Sequence, residues 1–190
     1  MGFFLLRPML NDGDTGAEGT PSAGEPTPFP ETTQQAAGQP VIVGVSDSGT
    51  ISVTLDAPAT LDLLDSQWAV QPQNIGVDGL WAPEIDENTA AWVNGTIVNY
   101  VFGLNDSETN RALLESMTAG QQMIVTTRQG VAHTFSFDSR NLVSSSDRNV
   151  YNQQTPGLTL ILMGSDDDNR LVVRGRYEVA AASQSSGGNV

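Results

Sequence analysis

The chain has 190 residues, enough for one domain with a substantial core together with tails. Its 8 Lys+Arg stand against 22 Asp+Glu, a formal net charge of -14, and every basic residue is an arginine; such a surface repels phosphate backbones and anionic membranes alike. Cysteine is absent and His133 is the one histidine, which removes disulfides, thiolate metal sites and a cysteine nucleophile, and leaves one imidazole for any triad or metal site.

In chain order, "MGFFLLRPML" is apolar but too short to span a bilayer, and Arg7-Pro8 interrupts it. It lacks the basic start and nearby small-residue cleavage site of a signal peptide, and Leu6 stands where a myristoylation pattern wants Ser or Thr. It reads as the stub of a longer membrane anchor or as an unordered start. The remainder of segment 1–40 is rich in Gly, Pro, Thr and acids, with no apolar periodicity. Such a segment cannot bury enough surface to offset its ordering entropy, so 1–40 is expected to act as a disordered spacer. The tail 181–190 is expected to be disordered on the same grounds.

The globular part is expected over 41–180. Short strands are predicted at Val41–Val45, Thr50–Leu55 and Gln67–Gln73, with "SDSG" and "DAPA" as turns. Thr89–Leu104 reads as one long buried strand or two broken at Asn94-Gly95. "NDSETNRALLESMTAG" predicts a helix capped by Asp106 or Ser107, with Leu113, Leu114 and Met117 on one face and Gly120 as its stop. A hairpin turning at Gln129-Gly130 follows, then a polar loop from about Asp138 to Thr155, then strands Leu158–Met163 and Arg170–Val179. Roughly eight strands and one evident helix suggest a closed or half-closed β-barrel.

Candidate chemistry is sparse. His133 sits mid-strand, which favours a histidine hydrogen-bonded in place or facing solvent over a catalytic one. Asp166, Asp167 and Asp168 form an oxygen-rich turn, but the glycine and terminal glutamate of a calcium-binding EF loop are missing, and aspartates are common in tight turns for conformational reasons alone. Trp81 and Trp92 flank "APEIDENTA" and are expected to anchor a core rather than stack on a ligand.

The stretch "GLTLILMGSDDDNRLVVRGRY" resembles the last strand pair of the sortases, bacterial surface transpeptidases built on an eight-stranded barrel. In that family a strand of the form TLxTC is followed by a loop and a strand opening with arginine. The order of the elements before it is similar too, and the resemblance covers nearly all of 41–180. It implies a mainly β, sortase-like closed or half-closed eight-stranded barrel with one or two short helices. It places the family's nucleophilic cysteine at Met163 and its arginine at Arg170. The family's histidine, carried in a Gly-His pair on the strand before the helix, is placed by counting back from Gly120 at Tyr100, with Asn99 or Val101 as neighbours in register. Sortase chemistry needs a thiol, an imidazole and an arginine. A thioether cannot form the acyl-enzyme, and tyrosine is a poor acid for the leaving amine.

The resemblance therefore implies a domain with no catalytic residues, no metal and no cofactor. The expected role is an extracytoplasmic binding or structural module, whose partner would be an extended peptide or an envelope protein. Nucleic-acid binding and direct insertion of the barrel into a membrane are not expected. Met163, Tyr100 and "VFGL" are expected to form a cleft with Arg170 at its rim, the arginine bracing the Asp166–Asp168 turn or holding a ligand. An Asp-dependent or metal-assisted hydrolase using Tyr100, and a self-assembling envelope subunit, are the alternatives.

Overall fold

The computed structural model describes residues 40–46, 49–76, 81–164 and 168–179. The expectations for the spacer 1–39, for the tail 181–190 and for Asp166 and Asp167 lie outside the described residues.

Strands β1 (Pro40–Ser46) and β2 (Gly49–Thr54) form a separate antiparallel pair. Then β3 (Pro58–Leu63) opens the barrel at a place where the sequence signals a turn. Proline in "DAPA" is the reason for that misreading. At the first residue of a strand the missing N–H removes no ladder bond, and Leu61 and Leu63 alternate into the core behind it. A tight turn with Leu64 at φ 51 leads into β4 (Ser66–Gln73).

The long apolar stretch is two strands, β5 (Thr89–Val93) and β6 (Asn99–Asn105), broken at Asn94-Gly95, where Gly95 takes φ 88. Helix α1 (Glu108–Ser116) starts at Ser107, whose side chain accepts from the Asn110 N–H at 3.2 Å. Asp106, the other candidate cap, instead pairs with Arg111 at 2.6 Å. The helix stops at Ser116, before Gly120. It has no basic residue in its last turn, and Arg140 from a later strand donates to the carbonyls of Leu114, Glu115 and Met117.

A hairpin joins β7 (Gln122–Thr127) to β8 (Ala132–Ser144), with Gly130 at φ 81 in its turn. β8 runs well into the stretch that reads as a polar loop. Its second half is mostly polar, with Leu142 exposed and Val143 packed on the outer cluster, and what makes it a strand is pairing with the last strand, from Asn169↔Ser144 to Arg174↔Ser139. A 3₁₀ turn over Arg148–Tyr151 precedes β9 (Gly157–Met163) and β10 (Asn169–Tyr177).

The barrel closes in the order β10-β8-β7-β3-β4-β5-β6-β9, with β4–β5 and β6–β9 as parallel pairs. Period-2 alternation sorts the side chains of the last strands into two sets. Tyr100, Phe102, Leu104, Leu158, Leu160, Leu162, Leu171 and Val173 enter the barrel's core. Val101, Ile161 and Val172 point outward into a second cluster beneath Trp81, Val150 and Tyr151. Each fully buried Leu or Phe contributes about 1.5–3 kcal/mol, so both clusters matter to the fold. The outer one ties the loops at 81–88 and 145–156 to the barrel wall.

Candidate functional site

The outer faces of β6, β9 and β10 carry the residues that the sequence singles out. Met163 ends β9 and Arg170 opens the described part of β10 beyond Asn169. The Arg170 Nη1 lies 3.9 Å from the Met163 sulfur and donates to the Trp81 carbonyl at 3.3 Å. The two are thus neighbours, as the resemblance implies.

Tyr100 is not part of this group. In the parallel β6–β9 ladder Tyr100 is level with Leu158, while Asn105 is level with Met163. Five residues along a strand is roughly 16 Å, and the Tyr100 side chain also faces the other way. It is fully buried between Phe102 and Phe135, and its hydroxyl donates to the Asp56 carbonyl at 2.6 Å. Burial, the dominant effect, pushes its pKa up. Asn99 and Val101 are level with Gly157 and Thr159, six and four residues from Met163 along the ladder. The expected three-residue cleft therefore corrects to a pair. A core tyrosine cannot serve a hydrolase that works at the surface.

The Asp166–Asp168 turn does not brace Arg170 through its described member. Asp168 is exposed, its carbonyl accepts from the Ser145 N–H at 2.8 Å, and Arg170 has no ion pair among the described residues. The guanidinium rests instead on a backbone carbonyl. Among the described residues, no three His, Cys, Asp or Glu side chains gather closely enough to hold a metal ion.

What fills the space beside Met163 is Trp81, which the sequence reading treats only as a core anchor. Its ring is 2% exposed and packs edge-on to Tyr151 at 6.3 Å between centroids. A Cβ on Gly103 would stand 2.7 Å from the Met163 Cγ and 3.0 Å from the Trp81 ring, so these two side chains lie directly over that glycine. Burial pushes the Tyr151 hydroxyl pKa up, and the Arg170 and Arg148 guanidiniums partly offset it. The Trp81 indole N–H has no hydrogen-bond partner among the described residues. This end of the outer face is apolar and packed, with one cation at its edge.

His133, the other residue with possible chemistry, is remote from this group. It is buried, with Nδ1 3.1 Å from the Tyr177 hydroxyl, and is a hydrogen-bonded core histidine.

No protein-family model matches the chain, and no curated protein matches it. Among solved structures it is similar to sortase A of Listeria monocytogenes, at 14% identity and TM-score 0.51, over 65% of this chain and 89% of that one. Sortase A of Corynebacterium diphtheriae matches at 16% identity and TM-score 0.51, over 69% of this chain and 65% of that one. A sortase D5 transpeptidase of Clostridium perfringens matches at 17% identity and TM-score 0.50, over 65% and 80%. The chain has the sortase fold: a mainly β, closed eight-stranded barrel with, among the described residues, a single α-helix. It carries that fold with no cysteine anywhere in the sequence.

Proposed function

We propose that this chain is a non-catalytic sortase-like domain that works as an extracytoplasmic binding or structural module of a bacterial cell envelope. One observation carries the reading. At the end of β9, beside the arginine, stands the thioether of Met163, its sulfur 3.9 Å from the Arg170 guanidinium. A thioether sulfur is already dialkylated and has no ionisable proton, so it offers neither a thiolate nor a stable acyl-enzyme. The β6 residue level with Met163 is Asn105, and the chain's one histidine, His133, is buried against Tyr177, so no imidazole stands beside Met163 to protonate a leaving amine.

The packing agrees with the chemistry. Trp81 and Met163 occupy the surface where a substrate would have to lie against the arginine, and the guanidinium is engaged with the Trp81 carbonyl. The acidic, lysine-free surface and the spacer-like composition of 1–40 suit a domain held away from an envelope. No helix of the described residues is long and apolar enough to cross a membrane.

The test is turnover of internally quenched sorting-signal peptides by the wild-type chain, with and without an acceptor amine. The reading expects no rate above the enzyme-free blank. A rate that Arg170→Ala abolishes overturns it.

A further inference from the structure

The opposite end of the same outer face is not packed. A groove of about 480 Å³ runs between the connection preceding β9 and the lower half of β10. That volume falls within the about 300–1,000 Å³ range of ligand sites. Asn99, Asn149, Asn152 and Thr155 are among its lining residues, together with Arg174, Arg176 and one carboxylate, Asp138. Four residues separate Arg170 from Arg174 along β10, roughly 13 Å, so this groove is distinct from the Met163 end.

Arg174 is the unusual member. It is half-buried, and its ladder neighbours are Ser139 on β8 and Thr159 on β9, neither of them charged. Its guanidinium makes no ion pair among the described residues. The nearby carboxylate, Asp138, stands 4.0 Å from Arg176 instead. Asp138, the bulge residue between the partners of Arg174 and Gly175, shares the groove but pairs with Arg176, so the charge of Arg174 is not offset by an ion pair among the described residues.

The lining at Asn99 and Asn152 is already built. Gln153 accepts from the Val98 and Asn99 N–H groups at 3.1 Å each and donates to the Asn99 carbonyl at 2.7 Å. The Asn99 amide donates to the Asn152 carbonyl at 3.0 Å, and Thr159 donates to Asn99 at 3.1 Å. These bonds fix the connection to the start of β6, so the groove needs no rearrangement to receive a ligand.

We propose that this groove binds a carboxylate of an extended peptide, with Arg174 as its anion-binding residue. A guanidinium fork matches a planar carboxylate by two parallel N–H···O bonds. The side chains of Asn149 and Thr155, exposed on the rim, can pair with peptide N–H and C=O groups. A polyphosphate chain is disfavoured by the net charge of -14. The lining holds no aromatic ring on which a sugar would stack. The inference goes beyond the loss of catalysis and stands or falls separately from it.

The experiment is a ¹⁵N NMR titration of the full chain with three probes: Ac-Ala-Glu-Ala-NH₂, Ac-Ala-Gln-Ala-NH₂ and Ac-Ala-Ala-Ala-OH. The expected result is saturable shifts at the Gly157, Thr159 and Gly175 amides and at the Arg174 Nε–H with the two carboxylate peptides. The glutamine peptide is expected to bind at least tenfold more weakly. Arg174→Gln should abolish the shifts, while Arg128→Gln, the same charge change on the distant β7–β8 turn, should leave them intact. Asn149→Trp, which fills the rim without touching the arginine, should also abolish them. Equal binding of the glutamine peptide, full binding by Arg174→Gln, or no saturable shift with any peptide overturns the proposal. So does saturable binding of glucuronate or inorganic phosphate where the peptides fail. Turnover of the quenched peptides is read independently, so failure here leaves the non-catalytic reading in place.

Discussion

Replacing Gly103 with alanine puts one methyl group into the most crowded point of the outer face. The new Cβ would meet the Met163 Cγ at 2.7 Å, the Trp81 ring at 3.0 Å and Ile85 at 3.3 Å. The first contact is below any normal carbon separation, but it is made by a flexible side chain that can shift. The second is a ring fixed by its packing on Tyr151. Overpacking of this kind costs about 1–3 kcal/mol, a fall in Tm of roughly 3–10 °C for a domain of this size. Met163→Ala removes the atom that clashes first, so in that background Gly103→Ala should cost about 1 kcal/mol less. Urea denaturation of the two single variants and the double variant gives that coupling directly. Gly103→Ala within about 0.5 kcal/mol of wild type, or strict additivity with Met163→Ala, would show that Met163 does not lie over Gly103. The packed picture of this site would then be wrong.

Other consequences follow from single contacts. Arg140→Gln removes the cation that serves the carbonyls at the end of α1; a loss of about 1–2 kcal/mol is expected, with faster amide exchange confined to the helix and the 117–121 turn. Leu64 is held at φ 51 and is 44% exposed, so Leu64→Asn should stabilise the β3–β4 hairpin by about 0.5–1 kcal/mol, read as a higher urea midpoint at unchanged slope. Burial lowers the pKa of His133 below its ordinary 6.5. The unfolded chain then binds the proton more readily than the folded one, so stability is full above about pH 6.5 and is lost as pH falls through the lower folded value. The stability difference between wild type and His133→Gln should therefore be flat from pH 8 to 6.5 and shift against the wild type below it. A difference constant to pH 4.5 would contradict the buried placement.

The last strand pair was the most legible part of the chain because its two apolar runs are separated by a run of aspartates in the sequence and carry their own register. The core side of Leu158, Leu160 and Leu162 follows from alternation alone. β3 was hidden because Pro58 reads as a turn residue unless its place at the start of a strand is known. The far half of β8 was hidden because it is mostly polar, with only Leu142 and Val143 apolar and no alternation to mark a face, and the long-range pairing with β10 makes it a strand. Tyr100 was misplaced by counting back from Gly120 as though the helix ended there. The helix stops at Ser116, and the β6 residue level with Met163 is Asn105, five places beyond Tyr100. Trp81 was read as a core anchor and is one, but nothing local placed it beside Met163. It sits in "LWAPEIDENTA", which has no periodicity, and its place over Gly103 is set by the tertiary fold. The half-buried Arg174 was visible as a residue, but that Asp138 pairs with Arg176 and not with it depends on how β8 lies beside β10.

The central claim is a sortase fold without sortase chemistry, and intact-mass spectrometry tests it most directly. The wild-type chain would be incubated with a sorting-signal peptide, with and without an acceptor amine. The account predicts an unmodified chain and intact peptide at every time point. An acyl adduct on the chain, or an amine-linked product absent from Arg170→Ala, would contradict it.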